Sequence, residues 1–144
     1  MNEKYQLFES KFHKIVLYAE GQLYLGRAVV LLKTNKASLS HLSIEEWDDF
    51  GSVARVYENA VKNCFNATYF NWGCFMNDFF KNKPYQPHVH WHVRPRYENP
   101  IEFEGIKFID EVFGSQFLRK DKELKLSEEL LEKILKKMLP HFEM

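Results

Sequence analysis

Between Ser43 and Phe65 the chain repeats apolar side chains every three or four residues: Trp47, Phe50, Val53, Ala54, Tyr57, Ala60, Val61, Cys64 and Phe65. On a helix of 3.6 residues per turn these positions share one face about six turns long. A stripe of that length has to be covered, and a β-sheet is the partner that suits it. The start is marked in the sequence as well. Ser43 can accept from the first turn while Glu46, three residues on, reaches back to close a capping box.

Strands frame this helix. Ile15–Ala19 and Arg27–Leu32 are β-branched or apolar runs separated by a stretch holding Gly21 and Gly26, which predicts a hairpin or meander. Ala67–Asn77 alternates Thr68, Phe70, Trp72, Cys74 and Met76 against Tyr69, Asn71, Gly73, Phe75 and Asn77, as a strand with two different faces would. His88–Arg94 reads as a further strand ended by Pro95, after a loop with two lysines and two prolines over 78–87. A last helix is expected over about 127–139, capped by Ser127 and stopped by Pro140, with Leu130, Leu131, Ile134, Leu135 and Met138 on one face. Residues 97–126 are acidic and aromatic without a period that assigns them. The expected fold is a single α+β domain: an antiparallel sheet of about five strands, one long packed helix and a C-terminal helical extension. The core would span about 15–97 and the extension 98–144.

Composition limits the partners. Lys+Arg 20 and Asp+Glu 20 cancel, so overall charge favours neither duplex nucleic acid nor an acidic membrane surface. The start of the chain lacks the basic-then-apolar pattern of a signal peptide, and no apolar stretch reaches the ~18 residues a membrane span needs. Two cysteines, Cys64 and Cys74, give no disulfide framework and no Cys-based zinc site, so a cytoplasmic setting is expected.

The residues with chemistry to offer are concentrated. Of 6 histidines, His88, His90 and His92 fall within five residues and, at a period of two, share one strand face, while Val89, Trp91 and Val93 take the other. Three readings are open. The row could be a solvated edge, although histidine is a poor choice for solubility alone. It could bind zinc or iron, although no acidic residue stands within the run. It could be nucleophilic: a neutral imidazole attacks phosphorus while its neighbours fix its tautomer and donate protons.

His88-Val89-His90-Trp91-His92-Val93-Arg94 resembles the His-φ-His-φ-His-φ-φ signature of the histidine triad hydrolases and transferases, φ being apolar, and Pro95-Arg96-Tyr97 continues the likeness. Leu25-Gly26-Arg27-Ala28-Val29-Val30-Leu31 is similar to that family's Pro-Gly-His strand, Leu42-Ser43-Ile44-Glu45-Glu46 to its helix entry, and Met76-Asn77-Asp78 also matches. The resemblance covers roughly 15–97. It implies that His90 attacks the α-phosphate of a nucleotide to give a covalent nucleotidyl-histidine, that the His88 carbonyl aims the His90 ring, and that His92 is a donor to phosphate or leaving group. Asn77 would contact phosphate, and Glu20 is the nearest acid to the ribose-binding position. The implied substrate is a dinucleoside polyphosphate such as diadenosine tetraphosphate, or a nucleoside phosphoramidate. No cofactor or metal is implied, and a homodimer is. The alternatives are a nucleotide-binding protein without turnover and a metal-binding protein.

Without a metal, phosphate charge must be offset by donors, and Lys81, Lys83 and Arg27 are the candidates. Phe12, Ile15 and Leu17 are candidates for a base pocket. Three departures from the family pattern stand out. Arg27 takes the place of a fourth histidine, Arg94 takes the last apolar position and so predicts an exposed strand end, and Phe79–Pro87 lacks the usual Gly and Ser/Thr residues. His13, His41 and His141 show no partner pattern and are expected at the surface.

Overall fold

A computed structural model describes residues 3–118 and 124–143. The strands are β1 (Gln6–Glu9), β2 (His13–Leu17), β3 (Ala28–Leu32), β4 (Tyr69–Gly73), β5 (His90–Arg96), β6 (Ile101–Phe103) and β7 (Ile106–Phe108), and the helices are α1 (Ile44–Phe65) and α2 (Glu128–Met138). The first five strands form one antiparallel sheet in the order β1-β2-β3-β5-β4, and β6 and β7 form a separate hairpin. The α+β architecture expected from the sequence is the one observed.

The capping box at the start of α1 is present: Glu46 N donates to Ser43 Oγ at 3.1 Å and Ser43 N to Glu46 Oε1 at 2.8 Å. Asn66 closes the other end in the left-handed conformation, with φ 64°. Val53, Tyr57, Ala60, Val61 and Phe65 bury the predicted stripe against the sheet, while Trp47 at its start stays 41% exposed. Leu131, Ile134 and Met138 of α2, with Phe142 beyond it, join the same core. As expected, α2 ends before Pro140. Helix α2 gives way at Leu139–Phe142 to a 3₁₀ turn, which accepts a proline near its start because no backbone donor is needed there.

Several expectations are corrected. Strand β4 ends at Gly73 instead of Asn77, because the Phe75 ring folds back over Gly73, where a Cβ would lie 2.3 Å from it. Asn77 falls instead in a 3₁₀ turn, Asn77–Phe80. Strand β5 runs through Pro95 to Arg96; β3 pairs with it only as far as Ala28 opposite Val93, so the missing proline N–H costs no ladder bond. The stretch left unassigned contains the β6–β7 hairpin, joined by Glu104 (φ 52°) and Gly105 (φ 77°), the two positive φ values of a tight hairpin turn. Of that stretch, 119–123 lie outside the described residues. Strand β1 carried no periodic signal in the sequence.

His13 is not a surface residue. It is fully buried, its Nδ1 2.6 Å from Asp49 Oδ2, which also accepts from Ser10 Oγ at 2.6 Å and Phe12 N at 3.2 Å, tying the β1–β2 turn to α1. Cys64 and Cys74 are free thiols. Among the described residues no helix is long and apolar enough to cross a membrane.

Glu46 gives the helix start a pH signature. Bonds from the Ser43 backbone and from Thr34 pull its carboxyl down from 4.5 to about 2, against its burial. A lowered folded-state value stabilises above the unfolded one, and that stability is lost as pH falls through the folded one. Urea unfolding of Glu46→Gln against the wild type should therefore show its full deficit, about 1 kcal/mol or more, above pH 4.5, and the gap should close toward pH 2. A gap that does not change across that window would refute the assignment.

Candidate active site

Strand β5 lies between β3 and β4, and its two faces are fully differentiated. Val89, Trp91 and Val93 are buried toward α1, where Trp91 stacks on Phe50 with centroids 4.0 Å apart. His88, His90 and His92 are half-buried on the opposite face; the His90 and His92 ring centroids are 5.2 Å apart. Regular strand begins at His90, yet pairing continues through Val89, which donates to Lys36 O and accepts from Leu32 N.

Each ring has one nitrogen committed. His88 Nε2 donates to the Leu32 carbonyl at 2.5 Å. His90 Nδ1 is 3.0 Å from the His88 carbonyl, and since a carbonyl can only accept, Nδ1 carries the proton and Nε2 keeps a lone pair. Arg27 Nη2 lies 3.3 Å from His92 Nδ1; a guanidinium can only donate, so this nitrogen is unprotonated and the ring proton sits on Nε2. Burial first, then the charges of Arg27, His90 and Arg94, push His92 down to about 4, with Asp78 opposing. His92 is therefore a neutral donor at physiological pH.

Arg27 is only 3% exposed, and its backbone and guanidinium are each held by neighbours. Its guanidinium lies over Tyr18, 3.8 Å from the ring centroid. Its own carbonyl accepts from buried Gln22 at 3.0 Å, Gln22 Oε1 accepts from Gly26 N at 2.8 Å, and Tyr57 donates to the Gly26 carbonyl at 2.7 Å. Gly26 adopts φ 92°, open to glycine at little cost, and this turn delivers Arg27 beneath His92. Arg27 thus faces the histidine row from within.

The other candidates are placed less tightly. The turn carrying Asn77 reaches the row, because Phe79 packs edge-on against His90 at 5.4 Å; Asn77 itself is exposed and 3.4 Å from Asp78 Oδ1. Lys81 is exposed and paired with Asp78 at 3.1 Å. Lys83 lies 5.9 Å from the Tyr85 ring centroid. Glu20 is exposed and paired with Lys125 at 3.2 Å.

Of the candidate base-pocket residues, Ile15 and Leu17 are fully buried on the α1 side of the sheet. The cavity of about 470 Å³ beside the row is lined instead by Lys14, Val16, Leu31, Lys33 and His88, with Glu3 at its edge. Lys14 and Val16 alternate with Ile15 and Leu17, so strand parity was the signal for it. Among the described residues no group of three or more His, Cys, Asp or Glu side chains is placed to hold a metal ion.

Arg94 corrects the prediction of an exposed strand end. It is buried, its guanidinium 3.8 Å from the Phe117 ring centroid. Phe117 belongs to a segment nailed to this face by Arg96, which is fully buried and donates to Asp110 at 2.6 and 3.0 Å, to Asn71 at 2.8 Å and to the Val112 and Ser115 carbonyls at 2.7 and 2.8 Å.

No protein-family model matches this chain, and no curated protein matches it in sequence. Solved structures do match. A hypothetical histidine triad nucleotide-binding protein of Sulfolobus tokodaii superposes with a TM-score of 0.68 at 15% identity, over 96% of this chain and 83% of that one. The diadenosine triphosphate hydrolase of Plasmodium falciparum gives 0.60 at 17% identity, over 99% and 82%. A uridylyltransferase gives 0.63 at 14% identity, over 98% of this chain and 42% of its own length. The chain has the histidine triad fold.

On this histidine triad fold the segment from Asp110 to Phe117 forms a wall over Arg94, the residue that follows His92 on this face of β5, and the Arg96–Asp110 pair holds it there. Asp110→Ala should destabilise the protein by roughly 3–5 kcal/mol in urea unfolding, because it strands a buried guanidinium. A loss under about 1 kcal/mol would show that the wall is not anchored in this way.

Proposed function

We propose that the chain is a nucleotide hydrolase or nucleotidyl transferase working through His90. The observation that carries this reading is the 3.0 Å contact of His90 Nδ1 with the His88 carbonyl, which leaves Nε2 as a lone pair on the open face of the sheet. In the first step Nε2 bonds to the α-phosphorus and the bond from phosphorus to the leaving group breaks. In the second, water attacks phosphorus, the N–P pair returns to Nε2, one proton of the water passes to solvent, and the nucleotide leaves with the water's oxygen. His92 Nε2–H donates to a phosphoryl or leaving oxygen as charge builds there. Arg27 fixes that donor and adds a permanent positive charge beneath it. No metal enters these steps.

Asn77, from its turn beside His90, would contact phosphate, and Lys81 and Lys83 would steer the polyphosphate from the loop. The substrate favoured is a dinucleoside polyphosphate such as diadenosine tetraphosphate. The cavity of Val16 and Leu31 suits one organic arm of such a molecule, being apolar at its floor and charged at its rim. Glu20 would reach the ribose only by leaving Lys125. Two free thiols fit a cytoplasmic setting.

The test is turnover of dinucleoside polyphosphates with EDTA present. His90→Ala should lower kcat by at least about 10³-fold while still binding AMP, and acid-labile label from the substrate should be trapped on His90 in the wild type alone. In the same assay the Lys81→Ala/Lys83→Ala double variant should raise KM several-fold and flatten its salt dependence. Undiminished turnover by His90→Ala would end the nucleophile assignment, and an unchanged KM would return the lysines to plain solvated charge.

A second copy of the chain is the proposed partner. Among the described residues strand β4 pairs with β5 alone and leaves an open sheet edge, with Phe75 exposed just beyond its end. Sedimentation should give the mass of two chains. A monomer at all concentrations would sink that assignment.

A further inference from the structure

The geometry points to a leaving-group filter: the Arg27–His92 contact confines this site to substrates whose leaving group departs as a stable anion, phosphoric anhydrides, and disfavours phosphoramidates, whose amine must be protonated as it goes. This rests on the nucleotidyl-transfer reading above and narrows it. Arg27 acts here as a positioning residue, through His92.

The ring proton of His92 sits on Nε2, and its only remaining basic atom, Nδ1, faces a guanidinium at 3.3 Å. A second proton would have to enter at that nitrogen, displacing the Arg27 hydrogen bond and setting two cations side by side. Arg27 cannot lose its own charge, unlike a histidine in the same place. The Gly26 turn and Gln22 fix its backbone, and its guanidinium is buried over the Tyr18 ring. The other groups facing His92 add to the effect: Arg94 from β5 is a second fixed cation, His90 opposes a second proton whenever it is itself protonated, and Tyr18 presents its ring edge-on at 5.9 Å. Asp78, from the turn after β4, is the group opposing them; it is exposed and already paired with Lys81. The lowering of His92 to about 4 agrees with this arrangement.

The consequence follows from the proton balance. With an anhydride, His90 Nε2 bonds to phosphorus, the P–O bond breaks, and the electron pair stays on a phosphate oxygen that is stable without a proton. A neutral His92 serves, giving a hydrogen bond and keeping its proton. With a phosphoramidate, the P–N bond breaks and the nitrogen must gain a proton to depart as an amine. A neutral imidazole is a very weak acid, so that proton has to come from the imidazolium form. At pH 7 a group titrating near 4 is cationic in about 1 molecule in 10³, against roughly a quarter for an unperturbed histidine at ~6.5. The penalty on amine leaving groups is on the order of 10²-fold.

The experiment compares diadenosine tetraphosphate with an adenosine 5′-phosphoramidate of a simple alkylamine between pH 5 and 8, spontaneous hydrolysis subtracted. The wild type should prefer the anhydride by about 10²-fold or more in kcat/KM at pH 7. That preference should shrink by roughly tenfold per unit of falling pH as the phosphoramidate rate climbs. In Arg27→His the preference at pH 7 should fall by at least about tenfold, and the phosphoramidate limb should move toward neutrality.

NMR titration of the wild-type His92 ring needs neither substrate nor variant. It should show the Nε2–H tautomer with a midpoint below about 5. Comparable rates on both compounds at pH 7, or a His92 midpoint near ~6.5, would overturn the filter. Adduct trapped on His90 equally fast from both compounds would sink the filter and uphold the nucleophile. Adduct from neither would sink the nucleophile and the filter with it.

Discussion

The two-residue period of β5 is the constraint on which the rest of the molecule depends. Val89, Trp91 and Val93 are committed to the face under α1, where Phe50, Trp47 and Trp72 add aromatic contacts to the Phe50–Trp91 stack. A slip of one residue would put three imidazoles into that hydrocarbon layer and two valines and a tryptophan into water. Unpartnered polar rings in such a layer would each cost on the order of 1–3 kcal/mol, so the register is not negotiable. The packing of one face thus fixes the chemistry of the other.

Features written within a few residues of one another were legible in the sequence. The stripe of α1, its capping box and the alternation of β5 each depend on spacings of two to four residues, and each is present in the structure. So is the bond from His90 to the His88 carbonyl, which spans two residues of a single strand. What was not legible depended on distant partners. His13 is buried because Asp49, 36 residues away, receives its Nδ1. Arg94 is covered because Phe117 returns across the sheet. The early end of β4 reflects a side chain folding over a glycine, which a strict alternation of residue types conceals.

The same division runs through the site. The shared face of the histidine row was legible in the sequence, whereas Asn77 was proposed from family likeness and the loop lysines from their position before the row. The relation of Arg27 to His92 could not, because it spans 65 residues and exists only once β3 and β5 pair with Ala28 opposite Val93. Nor could the cavity at Lys14, Val16, Leu31 and Lys33. Its residues come from two strands, and their shared face is defined by the register between Val16 and Val29 and between Lys14 and Leu31.

The row is therefore not three equivalent imidazoles. Backbone carbonyls receive a proton from His88 and from His90, while a guanidinium gives one to His92, so adjacent rings on one strand present opposite functions at the same atom: a lone pair at His90 Nε2 and a proton at His92 Nε2. Fixed charge follows the same gradient. Arg27 and Arg94 lie at the His92 end, whereas on its other side the His90 ring meets Phe79, which carries no charge. On the nucleotidyl-transfer reading proposed above, the nucleophile would need its lone pair uncompromised by a nearby cation, and the developing anion would need that cation close. Placing the arginines one step along the strand meets both requirements, and it does so with residues that cannot change their charge with pH.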